Sequence, residues 1–179
     1  MKNKTMKERF IKQVHSFYYA IRGLLSVLKT ESHMRFHLVA ALYVIAFCAK
    51  FYNLSSAQWA LLILTIASVF ICEIFNTVLE RVCDTVTTEY NKNIEFIKDV
   101  SAGAVLVSAI SAVIVAFILL FRVDVFKYIL SYFTHNIFDL IVLILGSALA
   151  VCFIAVKPEK YLGTIKKHIS KTKEETKKD

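Results

Sequence analysis

Four long apolar blocks run along this chain, and shorter segments that hold most of the polar residues separate them. The blocks cover residues 36–51, 59–75, 100–121 and 137–156. Each approaches the roughly 20 residues that a helix needs to cross a bilayer. The alternation typical of barrel strands is absent, and a helix satisfies its own backbone polar groups inside a membrane. The pattern therefore predicts an all-α membrane protein with four spans.

The segment before the first block has a different pattern. Across residues 7–29, apolar residues recur at helical spacing, and Lys12, Arg22 and Lys29 fall on the opposite side. This is typical of an amphipathic helix that lies in the membrane interface. Glu31 and Arg35 follow at i and i+4, a spacing at which a surface ion pair contributes only about a few tenths of a kcal/mol.

Lysine and arginine are distributed unevenly between the connections. Residues 1–35 carry eight of the 22, residues 81–98 carry three, and residues 157–179 carry eight. Because cytoplasmic segments of membrane proteins are enriched in these residues, we expect both termini and the 81–98 connection in the cytoplasm. The net charge of +8 is concentrated beside the membrane, where anionic lipid head groups are its partners, so we expect no binding of nucleic acid.

Four polar side chains follow one another at the end of the second block. Glu73, Asn76, Glu80 and Asp84 are spaced by 3, 4 and 4 residues, which stacks them on one helical face. A carboxylate carried into the hydrocarbon region costs about 2.5–3.5 kcal/mol on insertion scales. We expect no ionisable partner at this depth on the other spans. The stripe is therefore the candidate functional site.

Two short patterns add to the predicted fold. Ser55 and Gln58 have the S-x-x-Q form of a capping box, which predicts a helix start just before the second block. The four cysteines have neither a C-x-x-C spacing nor a histidine at zinc-ligand spacing, so we expect them to be small buried apolar residues. They are Cys48, Cys72, Cys83 and Cys152.

Carboxylates beside an asparagine, with Lys98 nearby, suit the handling of phosphates. Hard oxygen ligands hold Mg²⁺, and a lysine balances phosphoryl charge. The chain contains neither a P-loop motif nor a kinase glycine loop. The residues alone therefore permit phosphoryl transfer without establishing it, because intramembrane carboxylates also mark transporters and proton channels.

Three motifs, in order within residues 10–122, resemble a known family. They are Glu31-x-x-x-Arg35, Glu73-x-x-Asn-Thr-x-x-Glu-x-x-x-Asp, and Lys98-Asp99 followed by Ala104-Val-Leu. In these positions the chain resembles the small integral-membrane diacylglycerol kinases of prokaryotes and their Gram-positive relatives, the undecaprenol kinases.

The resemblance implies roles for the matching positions. Glu73 is the expected general base with Asn76 beside it, a role that burial of a carboxyl group suits, and Glu73 and Arg35 are the expected lipid contacts. Glu31 and Glu80 are expected to hold Mg²⁺ on the phosphates of ATP. Lys12 stands where relatives often have an arginine, and Asn91 stands where some relatives have a histidine. The expected nucleotide contacts are Lys12, Tyr19, Glu31, Glu80, Asp84, Tyr90, Lys98 and Asp99.

The resemblance also implies a homotrimer of three-span subunits in the inner (plasma) membrane of a bacterium. This chain adds a fourth block, which returns the basic tail to the cytoplasm. We therefore expect an interfacial helix region over 1–35, a three-span catalytic core over 36–122, an extra transmembrane hairpin segment over 123–156 and a basic cytoplasmic tail over 157–179. The fourth span is expected to be an accessory packing or regulatory element.

The function implied in this way is ATP-dependent phosphorylation of a membrane lipid alcohol. Undecaprenol is the preferred substrate because Arg35-Phe36-His37 is similar to the Gram-positive branch, and diacylglycerol is the alternative. A small membrane transporter and an inactive scaffold are more distant alternatives. The transporter is disfavoured because we expect polar residues at depth on only one span. The inactive scaffold is disfavoured because the motif residues are intact.

Overall fold

Helices make up almost all of the described chain. The computed structural model describes residues 6–87 and 89–156, within which there are six helices and no strand. Four of them, α2, α3, α4 and α6, are long and apolar enough to cross a membrane, which confirms the predicted fold class. The tail predicted for 157–179 lies outside the described residues. The helices are α1 (Met6–Thr30), α2 (Ser32–Phe51), α3 (Ser56–Val86), α4 (Lys92–Leu120), α5 (Val123–His135) and α6 (Ile137–Ala155).

The chain divides into two compact units. Among the described residues, one contains residues 6–32 and the other is His33–Val156. In the first, α1 forms the amphipathic helix predicted for residues 7–29. The second contains α2 to α6, and it carries the whole polar stripe.

The helices α3 and α4 pack against each other as an antiparallel hairpin. The predicted capping box is confirmed, since Ser55 Oγ accepts from the Gln58 backbone at 3.3 Å and Gln58 Oε1 accepts from the Ser55 backbone at 2.9 Å. At the other end, α3 continues to Val86 and α4 already begins at Lys92, capped by the Asn91 side chain. Most of the connection predicted for 81–98 is therefore helical, because both helices run beyond their apolar blocks.

A small apolar core lies at the end of the bundle where α2 meets α3, which we call the α2–α3 turn end. It consists of Cys48, Leu62 and Leu119, with Trp59 and Leu54 packed against them. Most other apolar side chains of the four spans are exposed, as expected for helices that face lipid or a further chain. The opposite end, where α3 meets α4, is the α3–α4 turn end, and there polar contacts replace the apolar core.

The prediction that the four cysteines are buried is confirmed for some of them only. Cys48 and Cys83 are buried and Cys72 is partly buried, but Cys152 is exposed, so the prediction was wrong for that residue. Its position on an apolar span explains this, because a cysteine facing outward in a membrane meets lipid and needs no protein partner.

The helix α5 has no counterpart among the predicted elements. At 13 residues it is too short to cross a bilayer. Its rings gather around Phe51 at the end of α2, with centroid distances of 6.3 Å to Tyr128, 5.3 Å to Tyr132 and 5.9 Å to Phe133. Region 123–156 therefore consists of one short helix and one span.

Candidate active site

The polar stripe forms one continuous face of α3. All four members lie on this helix because it extends past the apolar block to Val86. Glu73 is buried, with 5% of its surface exposed, whereas Asp84 near the helix end is exposed. Thr77 Oγ1 donates to the Glu73 carbonyl at 2.9 Å, which satisfies the threonine hydroxyl within the helix. The stripe thus passes from a buried carboxylate to one in contact with solvent.

A histidine on α2 holds the buried carboxylate. His37 Nε2 lies 3.1 Å from Glu73 Oε1, and their side chains are 21% and 7% exposed. A ring N–H donated to a carboxylate is a charge-assisted hydrogen bond, and such a bond offsets part of the cost of burying Glu73. The prediction that no other span carries an ionisable partner at this depth was wrong. From the sequence, His37 is identified only as part of the Arg35-Phe36-His37 segment, because spacing along one helix cannot reveal a partner on another.

Asn76 links α3 to α4. Its Nδ2 donates to Glu80 Oε1 at 2.9 Å, and its Oδ1 accepts from Ser101 Oγ at 2.6 Å. Because a carboxylate only accepts and the amide must donate to it, the two contacts fix which way the amide points. Ser101, which is 7% exposed, was not among the predicted site residues. Its position one turn after Lys98 was the signal, since it places a hydroxyl on the face of α4 that carries the lysine.

An ion pair closes the hairpin next to this group. Lys98 Nζ lies 2.6 Å from Asp84 Oδ1, with side chains 38% and 66% exposed. At that exposure the pair contributes little stability, on the order of 0–1 kcal/mol. The main effect of the ion pair is to position the Lys98 ammonium group, which it places one turn before Ser101 at the solvent end of the stripe.

The remaining predicted nucleotide contacts lie around the α3–α4 turn or on α1. Tyr90 OH donates to Glu95 Oε2 at 2.7 Å, and this bond raises the pKa of the tyrosine. Asp99 is exposed on the first turns of α4. Lys12 and Tyr19 are exposed on α1, and Glu31 is half-buried at its end; all three belong to the first compact unit.

Arg35 is almost fully buried, with 1% of its surface exposed. Its Nη2 donates to the Ile154 carbonyl of α6 at 3.0 Å. The arginine that was expected to touch lipid therefore also contacts the fourth span. The structure brings together Glu73, Asn76 and Glu80 with the unpredicted His37 and Ser101, and it joins Asp84 to Lys98 beside them.

The donor set of α3 fits a magnesium ion that arrives with phosphates. No group of three or more histidine, cysteine, aspartate or glutamate side chains converges on one point within residues 6–87 and 89–156. Mg²⁺, however, is commonly held by one or two carboxylates plus substrate phosphates and water. Glu80 is oriented by Asn76 and Asp84 lies one turn away, so these hard oxygen ligands suit that mode of binding.

An apolar groove of about 310 Å³ lies close to Glu73. It lies between α2, α3 and α4, and its lining includes His37, Val69, Phe70, Ala109 and Ala112. Val69 and Phe70 precede Glu73 by one helical turn, and His37 contacts Glu73 directly. Glu73 is not part of the lining, but it lies next to three residues that are.

We expect Ser101→Ala to lower the free energy of unfolding by about 1–2 kcal/mol, because it leaves Asn76 Oδ1 without its donor from α4. Unfolding in mixed micelles measures the change. Ser111→Ala is the matched control, since the Ser111 hydroxyl bonds to Val107 of its own helix. A loss at Ser101 no larger than the loss at Ser111 would contradict the role of this contact.

Comparisons with known proteins match the same part of the chain. Residues 18–120 match the family described as prokaryotic diacylglycerol kinase. The chain is 33% identical over 111 residues to an undecaprenol kinase of Bacillus subtilis (strain 168), a match that covers 62% of this chain and 87% of that protein. It is 41% identical over 101 residues to a diacylglycerol kinase of Synechocystis sp., covering 56% of this chain and 57% of that protein.

The family match includes the parts that build the polar site. It contains His37 on α2, the whole stripe on α3, and Lys98 and Ser101 on α4. It ends at the last residue of α4, so α5 and α6 lie outside it. Since more than half of the chain is matched, this protein belongs to the prokaryotic diacylglycerol kinase family and is a lipid kinase.

Proposed function

We propose that this protein transfers the γ-phosphoryl group of ATP to the hydroxyl of a membrane lipid alcohol, with undecaprenol as the substrate and diacylglycerol as the alternative. The observation that carries the proposal is the position of Glu73. It is a buried carboxylate between groove-lining residues one helical turn before it, Val69 and Phe70, and the solvent end of the stripe after it. A lipid hydroxyl and a soluble nucleotide can approach such a group from opposite directions.

In the proposed reaction, Glu73 acts as the general base. Its carboxylate takes the proton of the lipid hydroxyl as the oxygen attacks the γ-phosphorus. The bond between that phosphorus and the bridging oxygen of the β-phosphate breaks, and ADP leaves with the electron pair. His37 is bonded to Oε1, so the second carboxylate oxygen is oriented for the proton transfer.

The nucleotide is proposed to bind along the solvent end of the stripe. Glu80, with Glu31, would hold Mg²⁺, which supplies charge neutralisation on the phosphates when bound. Lys98 would contact a phosphate, and its bond to Asp84 keeps the ammonium group at the site. The remaining proposed nucleotide contacts are Lys12, Tyr19, Tyr90 and Asp99.

The proposed preference for undecaprenol rests on the undecaprenol kinase of Bacillus, because the match covers most of that relative's length. The Bacillus undecaprenol kinase is covered to 87%, whereas the Synechocystis diacylglycerol kinase, at higher identity, is covered to 57%. The Arg35-Phe36-His37 segment favours the same branch. Arg35 is kept as a proposed lipid contact because it belongs to that segment.

The membrane arrangement follows from the charge distribution. Both termini and the α3–α4 turn are proposed to lie in the cytoplasm of a bacterium, where ATP is available. The many exposed apolar side chains on the spans leave room for further copies, and a homotrimer is the proposed assembly.

Transfer of label from γ-labelled ATP tests the function. Purified protein with Mg²⁺ in mixed micelles is offered undecaprenol and diacylglycerol in parallel, with the Glu73→Gln variant beside it. We expect label in undecaprenol at the higher kcat/KM, and transfer slower by about 10³-fold in the variant. Label only in diacylglycerol would move the substrate to the alternative. A folded protein that labels neither lipid would overturn the proposal.

A further inference from the structure

The fourth span is joined to the first by polar contacts at three levels. Arg35 contacts Ile154 at 3.0 Å, Tyr43 OH lies 3.0 Å from Ser147 Oγ, and Lys50 Nζ lies 2.7 Å from Asp139 Oδ2. The partners advance along α2 by 8 and 7 residues while they recede along α6 by 7 and 8. These steps are close to two helical turns, so each helix offers one face and the two run antiparallel. We call these contacts the α2–α6 ladder.

The ladder is anchored at the α2–α3 turn end by a cluster that includes α5. Tyr132 OH donates to the same Asp139 oxygen that pairs with Lys50. The Lys50 ammonium group also lies 4.6 Å from the centre of the Tyr132 ring, within the range of a cation–π interaction. Two elements outside the family match are therefore tied to the end of α2.

The other end of the ladder caps a helix. The Ile154 carbonyl lies in the last turn of α6, where backbone acceptors lack intrahelical donors. The residue four positions on is Pro158, which has no N–H to donate. Arg35 supplies both a donor and a positive charge at the negative end of the helix dipole. An unsatisfied carbonyl is costly within a membrane, so this contact holds α6 in register with α2.

The opposite face of α2 carries the histidine that contacts Glu73. Two residues along a helix correspond to a rotation of about 200°, so His37 projects away from Arg35 and from the ladder. On that side it meets Glu73 of α3 at 3.1 Å. The first span is thus held on one face by α6 and presents its other face to the candidate general base.

We propose that α6 is a positioning element of the active site: through the α2–α6 ladder it fixes the rotation and height of α2, and so holds His37 against Glu73. The inference rests on the proposed role of Glu73 as the base. It assigns Arg35, Tyr43 and Lys50, with their partners on α6, as positioning residues.

A double-mutant cycle tests the coupling at a distance. Lys50 lies 13 residues from His37, about 20 Å along the helix. In Lys50→Glu, two carboxylates face each other at the Asp139 contact, and we expect kcat to fall about fivefold with the KM for ATP unchanged. Adding Asp139→Lys exchanges the two charges, and we expect it to restore kcat to within about twofold of the wild type. In a His37→Ala background, Lys50→Glu is expected to have no further effect. The same fivefold loss in both backgrounds, or a failure of the charge exchange to restore kcat, would overturn the proposal.

Arg122→Glu provides the matched control. Arg122 pairs at 3.3 Å with its near neighbour Asp124, and this pair involves neither α2 nor α6. We expect native kcat in this variant, and a fivefold loss there would mean that any charge reversal at this end of the bundle is harmful, against the inference.

A cross-link tests the ladder first by a peptide map and then by activity. Tyr43→Cys and Ser147→Cys are combined in a chain whose four native cysteines are replaced by alanine, and a short reagent with two maleimide groups is added, each of which forms a thioether with one cysteine. We expect α2–α6 linkage in the peptide map, and a linked protein in which Lys50→Glu no longer lowers kcat. Absence of linkage would overturn the ladder even if the enzyme is active. Linkage in the two-cysteine variant together with a wild-type protein that is inactive on both lipids would overturn the proposed function instead.

Discussion

Replacing Glu73 by glutamine is expected to lower kcat for lipid phosphorylation by about 10³-fold, within the range for removal of a general base. The amide has nearly the same shape, so the helix packing around this buried position is retained. Its oxygen can still accept the hydrogen bond from His37, but the group cannot take up the proton of the lipid hydroxyl. Single-turnover transfer from labelled ATP measures the loss.

A measurement of nucleotide binding distinguishes the loss of the general base from a general disruption of the site. Equilibrium binding of Mg·ATP to Glu73→Gln is expected to equal that of the wild type, because Glu73 lies on the lipid side of the stripe. Asp124→Asn, an exposed carboxylate on α5, is the matched control and should retain native kcat. Residual activity within about tenfold of the wild type would show that another group accepts the proton.

The spans and the stripe could be predicted because both are properties of a single helix. Apolar blocks of sufficient length imply membrane helices, and spacings of 3 and 4 imply one face whatever the helix packs against. Glu73, Asn76, Glu80 and Asp84 therefore appear where the sequence placed them. Only the length of α3 was underestimated, because a helix stabilised by its hairpin partner continues beyond the apolar residues that reveal it.

The partners of the stripe could not be predicted in this way. His37 reaches Glu73 from α2, and Ser101 reaches Asn76 from α4, so both contacts depend on how the helices are rotated and aligned. Several rotations bury similar apolar areas, and spacing along the chain does not distinguish them. A polar residue in an apolar helix marks a candidate partner, but it does not identify the group that it contacts.

The ladder illustrates the same limit for the fourth span. Asp139 and Ser147 are isolated polar residues in an otherwise apolar helix, and their spacing in the sequence identifies no partner. Tyr43 and Lys50 on α2 complete the pairs, and their antiparallel order becomes apparent only once the two helices are side by side. The short helix α5 escaped prediction because a 13-residue segment beside the membrane falls below the length that marks a span.

Replacing Glu80 by glutamine is also expected to have a large effect, but on the KM for Mg·ATP rather than on kcat. Its oxygen can still accept from Asn76 Nδ2, so the orientation of Asn76 and its bond to Ser101 are retained. The negative charge is lost, however, and the affinity of an oxygen site for a divalent cation depends on the charge of its ligands. We expect the KM for Mg·ATP to rise about tenfold or more, with much of kcat recovered at saturating nucleotide.

The two carboxylates can then be distinguished by what each variant loses. In a titration with Mg·ATP, Glu80→Gln is expected to shift the binding curve to higher concentration and Glu73→Gln to leave it in place, although Glu73→Gln has the lower kcat. Raising Mg²⁺ should rescue only the Glu80 variant, because only there is cation binding weakened. Equal loss of nucleotide affinity in both variants would refute the division of the stripe into a lipid end and a nucleotide end. A Glu80→Gln enzyme with native KM and abolished kcat would instead place proton transfer, rather than metal binding, at that residue.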